Sequence, residues 1–379
     1  MMKTMSRVTI ALPPRPYDAV IENGLLQRSG ETLRDLFNVI FNVNAAAGGS
    51  PAKHQRLFVV TVPPVRRKWG KQLLSSLSAA GFTAKIVEMP NGERHKKLAT
   101  VEKLCEQLSR LGADRNSVII AFGGGIVGDV AGLVASLYMR GVDLVQIPTT
   151  VLAQVDASIG GKTGVNLRAG KNLVGTFHHP SVVLIDPAVL STLPEREFRA
   201  GLYEALKCGV IGKPELFLAL ENVDTKELRS DPVKLEWIIA ESVKLKAEVV
   251  SCDERENGLR RVLNLGHTIG HALEAETGYR RFLHGEAIAW GMIAAANIAA
   301  AMGKTTAASR IIEAALRLGP LPKVEVNTQD IIRRLRADKK TLDGRVHFVL
   351  PVRIGQVRVV GDVPELLVKH AVDILQKRS

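Results

Sequence analysis

Short runs rich in Val, Ile, Leu and Phe alternate with helical periods through the first half of this chain, and that alternation leaves few folds open. Leu57–Val62, Val118–Phe122, Val142–Ile147 and Val182–Ile185 read as strands of the buried type. Between them, Lys68–Ala80 and Ala99–Leu111 carry helical periodicity, and Gly81 and Gly112 stand just past their ends. Strand–helix alternation of this kind predicts a parallel sheet with helices on both faces. Ligands of such sheets bind beyond the carboxyl ends of the strands. Val8–Leu12, Tyr17–Ile21 and Ala84–Met89 add further strands, and Pro90-Asn91-Gly92-Glu93 is turn chemistry. A helix is expected from Leu25 to about Phe41. Asn42–His54, rich in Ala, Gly, Ser and Asn, is expected to be a surface loop.

From Leu193 the character changes. Glu197–Val210, Lys234–Val250, Ala287–Met302, Arg310–Leu318 and Thr328–Arg336 are helical, and His347–Pro351 with Gln356–Val360 suggests a terminal hairpin. A chain of 379 residues exceeds one core of ordinary size. Two domains are therefore expected, 1–187 as an α/β domain and 188–379 as a mainly helical one. The 46% apolar fraction and 33 glycines suit an α/β enzyme, while 4% aromatics argue against a base-stacking nucleic-acid platform. The formal charge of +13 favours anionic partners, although a basic solvated surface accounts for it equally. Cys105, Cys208 and Cys252 are widely spaced and odd in number, so they form no disulfide framework and no thiolate metal site. The N-terminus has no apolar core of signal-peptide length, and no run of about 18 apolar residues exists. A cytoplasmic protein without a membrane span is expected.

Three stretches carry chemistry. Arg260–Glu286 holds three of the nine histidines, His267, His271 and His284. His267 and His271 are spaced to share one helix face. Imidazoles with one carboxylate can hold a divalent metal, most simply zinc; a partly buried, hydrogen-bonded pair is the alternative. GGGIVGD follows the strand at Phe122 and opens a helix. Glycines there admit a phosphate to the helix N-terminus, or else serve a tight turn with positive φ. Thr149 and Thr150 end a strand, as nucleotide contacts or as helix caps. Asp156–Pro180 sets Asp156, Lys162, Asn166, Lys171 and Asn172 in a glycine-rich stretch suited to phosphate or carboxylate, the alternative being a mobile solvated loop. Glu204 and Lys207 share a helix face, where a surface ion pair is the plainest reading.

GGGIVGD, YMRGVDLVQIPTTVLAQVDASIGGKTGVN, GKNLVGTFHHP, LPEREFRAGLYEALK, LRRVLNLGHTIGHALE and LHGEAIAWGM together resemble the 3-dehydroquinate synthases, a sugar-phosphate cyclase family, over roughly Val8 to Val360. The resemblance implies an α/β N-terminal, Rossmann-like parallel-sheet domain followed by an all-α C-terminal domain. It also implies conversion of 3-deoxy-D-arabino-heptulosonate 7-phosphate to 3-dehydroquinate and phosphate, with NAD and a divalent metal, zinc or cobalt. In that chemistry NAD oxidises one alcohol, phosphate leaves by β-elimination, the ketone is reduced back, and ring opening with an aldol closure completes the carbocycle.

By the same resemblance the metal ligands are Glu204, His267 and His284. His271 then lies near the leaving phosphate, with a proton-transfer role. Asp156, Lys207, Lys246, Arg260 and Asn264 match substrate contacts, Arg260 suiting a carboxylate. Lys162, Asn172, Asn264 and His271 match phosphate contacts, joined by Lys339 or Lys340. Arg140 matches a residue that reaches the neighbouring subunit's site, which implies a homodimer. Glu256 matches a position assigned as a proton acceptor. NAD contacts carry over to Asn91, Gly92, Glu93 and Lys96, to Gly125, Gly128 and Asp129, to Thr149 and Thr150, and to Lys162 and Lys171. A metal-dependent polyol dehydrogenase, another sugar-phosphate cyclase and a basic nucleic-acid-binding protein are the competing readings. The lysines and arginine set for phosphate and carboxylate argue against the first. Arg260 argues against cyclases of neutral sugars, and the low aromatic content against the last.

Overall fold

In the first unit, Met1–Leu193, the alternation becomes a twisted sheet. The computed structural model describes residues 6–13, 15–46, 56–338 and 346–379. The unit runs β1 (Ser6–Ile10), β2 (Tyr17–Ile21), α1 (Ser29–Ala46), β3 (Arg56–Thr61), α2 (Pro63–Val65), α3 (Lys71–Ala79) and β4 (Thr83–Glu88). It continues α4 (Leu98–Arg110), β5 (Val118–Gly123), α5 (Gly125–Leu137), β6 (Asp143–Pro148), β7 (Lys162–Leu167), β8 (Gly170–Phe177) and β9 (Val182–Ile185). Seven strands form one sheet in the order β1-β2-β9-β6-β5-β3-β4. Only β1 pairs antiparallel, against β2.

Register explains why the strands read as continuous apolar runs. Val59, Ile120, Val145 and Val182 lie side by side across four strands. They face a core closed by Leu33 and Phe37 of α1 and Leu73 and Leu77 of α3. One residue on, Val60 and Ala121 pair and point the other way. That face packs on Leu104 and Leu108 of α4 and Val130 and Val134 of α5. Successive side chains alternate faces, so a strand covered on both sides must be apolar at every position.

Two expectations are corrected here. Asn42–Ala46 is the last part of α1 rather than loop, and the remainder of the expected Asn42–His54 loop lies outside the described residues. Alanines favour continuing a helix more than any other residue. The glycine-rich stretch after Asp156 is an antiparallel hairpin, β7 with β8, not a mobile loop. Its glycines are needed for closeness, since a Cβ on Gly175 would drive into the Thr163 carbonyl.

Asp186 shows how the end of β9 is held. Its buried carboxylate accepts from the N–H groups of Gly24, Leu26 and Ala188 at 2.7, 2.8 and 2.8 Å. Burial raises its pKa, and those N–H groups pull it part of the way back. Asp186→Ala would strand three donors, at about 1–3 kcal/mol for each that stays buried. Denaturant titration is expected to show a loss of at least about 3 kcal/mol; a loss under 1 kcal/mol would show that the turn relaxes onto water.

The second unit, Pro194–Ser379, runs α6 (Glu195–Ile211), α7 (Pro214–Leu220), α8 (Thr225–Ser230), α9 (Pro232–Cys252), α10 (His267–Glu276), α11 (His284–Ala301), α12 (Ala308–Arg317) and α13 (Thr328–Asp338). The hairpin β10 (Phe348–Arg353) with β11 (Gln356–Val360) follows, then α14 (Glu365–Arg378). The hairpin is the one departure from helix among the described elements of this unit. Helix α14 was not foreseen, yet its buried Val368, Ala371, Val372 and Leu375 fall at helical spacing. Helix α11 is the hub, buried at Ala287–Ala296 without interruption. Glycines let its neighbours come close. A Cβ on Gly285 would strike the Ala200 carbonyl of α6, and one on Gly291 the Gly266 carbonyl before α10.

Candidate functional site

Three helices of the second unit converge on a cluster of imidazoles and a carboxylate. Glu204 lies midway along α6, His267 is the first residue of α10, and His284 the first of α11. Gly266 takes φ 82 to turn the chain into α10, a conformation that favours glycine. The entry to α11 is held by Glu286, which accepts the Leu283 N–H at 2.8 Å and the Arg196 guanidinium at 2.6 and 2.7 Å.

The ring centroids of His267, His271 and His284 lie 5.1, 5.4 and 5.9 Å apart. One ligand atom each from Glu204, His267 and His284 falls within 4.8 Å of the others. Among the described residues, neither oxygen of the fully buried Glu204 carboxylate has a hydrogen-bond partner, although the Lys207 ammonium lies against one of them. A buried carboxylate so placed wants a cation. His267 Nδ1 lies 3.2 Å from the Leu265 carbonyl, which can only accept, so Nδ1 carries the hydrogen and Nε2 is left as a lone pair. His284 Nε2 lies 3.6 Å from Glu204. Burial, the Lys207 charge and the neighbouring imidazoles hold His267 neutral, well below the usual histidine range. Burial presses on His284 as well, but the Glu274 and Glu204 carboxylates outweigh it and raise its pKa. One hard oxygen donor and two imidazole nitrogens fit a divalent ion with positions to spare.

The expected surface pair Glu204–Lys207 is therefore a buried one, with side chains 1% and 2% exposed. Periodicity gave the shared face, but only packing decides which way a face looks. His271, which spacing alone would make a ligand, is exposed. It shares a second potential cluster with Glu274 and His284.

The unit holds further buried cations besides Lys207. Lys246 on α9 and Arg260 are buried like Lys207. Arg260 lies on the turn Leu259–Asn264, which packs against α6 and α9. Its guanidinium donates to the Glu254 carbonyl, and its N–H to Asp253 at 3.0 Å. Glu256, with φ 63, is not a plain surface carboxylate; it accepts from the Asn264 amide at 2.5 Å. Lys339 and Lys340 lie outside the described residues.

The first unit holds the other set. Helix α5 starts at the carboxyl end of β5 with no acidic residue in its first turn. Gly123, Gly124, Gly125 and Gly128 do not take positive φ, so the tight-turn reading fails. They are small because neighbours are close: a Cβ on Gly124 would come 3.0 Å from Thr150, and one on Gly128 3.0 Å from Gln146. Thr150 is a helix cap, accepting from the Ala153 N–H at 3.1 Å. The buried Thr149 hydroxyl has no partner among the described residues. Buried Lys96 bridges Asp129 and Asn172 at 2.5 Å each, and Asn166 donates to Glu93 at 2.7 Å with Lys171 3.9 Å from that carboxylate. Asn91 is exposed, Gly92 has φ 106, Asp156 is half-buried, and Lys162 is exposed at the start of β7. Arg140, exposed, follows Met139 in left-handed backbone, φ 67 after φ 50. An open helix N-terminus beside an unpaired hydroxyl fits a dinucleotide's phosphates.

The sequence reading missed Glu274, Glu286 with Arg196, and Asp253, which hold the others. For Glu274 a signal existed: it stands three residues after His271 and seven after His267, on the same helical face.

Comparison with known proteins agrees with this geometry. Residues 86–200 match the family model of the 3-dehydroquinate synthase N-terminal region, and residues 201–341 that of its C-terminal region. The chain is 51% identical over 377 residues to the 3-dehydroquinate synthase of Koribacter versatilis (strain Ellin345), covering 99% of each. It is 47% identical over 370 residues to that of Solibacter usitatus (strain Ellin6076), covering 97% of this chain and 98% of the other. Among solved structures it resembles ValA, the 2-epi-5-epi-valiolone synthase of Streptomyces hygroscopicus subsp. jinggangensis 5008, solved with NAD+ and Zn2+ bound. The TM-score is 0.84 at 30% identity, covering 97% of this chain and 99% of that one. With both regions matched in order and half of all residues shared along the full length, the chain belongs to the 3-dehydroquinate synthase family.

Proposed function

We propose that this protein converts 3-deoxy-D-arabino-heptulosonate 7-phosphate to 3-dehydroquinate and phosphate, a carbon–oxygen lyase reaction of the shikimate route to chorismate and the aromatic amino acids. The observation that carries the reading is the buried, hydrogen-bond-free Glu204 carboxylate beside two imidazoles, in a chain 51% identical to a curated synthase of the same length.

Glu204, His267 and His284 would hold zinc or cobalt, which when bound polarises substrate hydroxyls. NAD would bind at the α5 N-terminus through Gly125, Gly128, Asp129, Thr149 and Thr150, with Asn91–Lys96, Lys162 and Lys171, and when bound it takes and returns a hydride.

The chain's own residues do the rest. Arg260 offers a planar fork to the substrate carboxylate, its plane fixed by the Glu254 carbonyl. Lys207 and Lys246 supply buried positive charge, and a sugar acid carrying both a carboxylate and a phosphate offsets the cost of keeping it there. Asp156 accepts from substrate hydroxyls. Glu256 orients the Asn264 amide through one oxygen, and its other oxygen can take a proton. Lys162, Asn172 and His271, with Lys339 or Lys340, bind the phosphate, where exposed His271 can move a proton. The protein acts as a homodimer in the cytoplasm. The first statement rests on the resemblance of Arg140, which is exposed, to a residue that reaches the neighbouring subunit, and the three free cysteines support the second.

The test is direct. Incubation with the heptulosonate phosphate, catalytic NAD and zinc or cobalt is expected to release one phosphate per carbocyclic product with no lasting NADH. Steady NADH accumulation with a simple polyol, and no phosphate release, would make the protein a polyol dehydrogenase instead.

A further inference from the structure

Helices α10 and α11 run antiparallel against each other, and their contacts step in register. Gly266 meets Gly291 and Met292, and Gly270 meets the Ala287 carbonyl. A turn further along α10 stands Glu274, and a turn back along α11 stands His284. The glycines set the close approach that brings the two side chains together. Glu274 is only 2% exposed, which is rare for a carboxylate that does no work for a neighbour. Its Oε2 lies 3.5 Å from His284 Nδ1, while the opposite nitrogen, Nε2, looks at Glu204 from 3.6 Å. One ring thus lies between two buried carboxylates. The partner imidazole follows the same plan, since the Leu265 carbonyl fixes His267 Nδ1 as the donor.

We propose that Glu274 is a positioning residue for the metal site: it holds the hydrogen of His284 on Nδ1 and so keeps the Nε2 lone pair aimed at the ion beside Glu204. Imidazole can carry its single neutral-state hydrogen on either nitrogen, and only one tautomer can ligate through Nε2. An acceptor behind the ring selects that tautomer, fixes the ring plane and makes the ligating nitrogen more basic. His271, Glu274 and His284 also lie close enough to hold an ion themselves, so the competing arrangement is a second metal with Glu274 as a ligand. The exposure of His271 and the engagement of His284 Nε2 with Glu204 favour the positioning role.

The inference rests on Glu204, His267 and His284 being the ligands, and the experiment separates the two. Wild-type, Glu274→Gln and Glu274→Ala proteins are stripped of metal, checked for melting temperature, and titrated with zinc against a chromophoric chelator. Cobalt is then added, and the visible d–d spectrum is recorded. Wild type is expected to bind one zinc. Glu274→Ala is expected to bind about 10- to 100-fold more weakly with an altered cobalt spectrum. Glu274→Gln, nearly isosteric and still able to accept from Nδ1, is expected to fall between them while melting close to wild type. If Glu274→Ala does not fold, the glutamine variant carries the test. Unchanged zinc affinity and cobalt spectrum in every folded variant would overturn the positioning role. So would two zinc ions in wild type with one lost on substitution, since that makes Glu274 a ligand. A wild type that binds no zinc would sink the ligand assignment itself, independently of Glu274.

Discussion

Stripping the protein with a chelator is expected to abolish phosphate release, and zinc or cobalt added back restores it. Without an ion, the buried Glu204 carboxylate has no hydrogen-bond donor among the described residues, with the Lys207 ammonium against one oxygen and His284 Nε2 3.6 Å from the other. His267 is held neutral by burial and by that same ammonium, so it cannot supply positive charge in the ion's place. Metal binding should also show in stability, because the three ligands come from three helices and an ion ties them together. At a free zinc concentration about 100 times the dissociation constant, linkage gives roughly 2.7 kcal/mol. In a unit of this size that is an upward shift of roughly 5–10 °C. Full turnover by protein shown metal-free by elemental analysis would sink the metal assignment.

Glu204→Gln is expected to be the most damaging single substitution of comparable shape. It keeps the volume and removes the charge. Losing the ion's hold on the substrate costs several kcal/mol of transition-state stabilisation, roughly three orders of magnitude in kcat/KM. The substitution also leaves Lys207 buried beside a neutral amide. Breaking one side of a buried ion pair costs about 3 kcal/mol or more. The metal-free variant should therefore unfold at lower denaturant than metal-free wild type, and zinc should no longer raise its melting temperature. Retained zinc-dependent stabilisation in Glu204→Gln would show that the ion sits elsewhere, with His271, Glu274 and His284 the next set to examine.

Much of the first unit was legible in advance because strand and helix periods are local. Leu57–Val62 and Val118–Phe122 were read as buried strands, and their register across the sheet shows why every position is apolar. The failures were equally local in origin. Asn42–Ala46 has a loop-like composition but continues α1, since alanine extends a helix already begun. The glycines around Lys162 suggested a loose backbone. They form a hairpin because small residues let β7 and β8 lie close to each other and to α5. The hydroxyls Thr149 and Thr150 look alike in sequence; Thr150 caps a helix while Thr149 has no partner among the described residues, a difference set by what lies opposite each.

The sequence by itself determined the order of strands and helices and, through its long motifs, the family and the residue types its chemistry requires. It also placed His267 and His271 on one helical face. Only the tertiary structure shows Glu204 buried beside His267 and His284 while His271 is exposed, and it places Glu274 behind His284. Spacing along one helix says which side chains share a face, whereas burial and charge neighbours depend on which distant helices pack there. Glu204, His267 and His284 meet because Gly285, Gly266 and Gly291 let α6, α10 and α11 approach until backbone touches backbone.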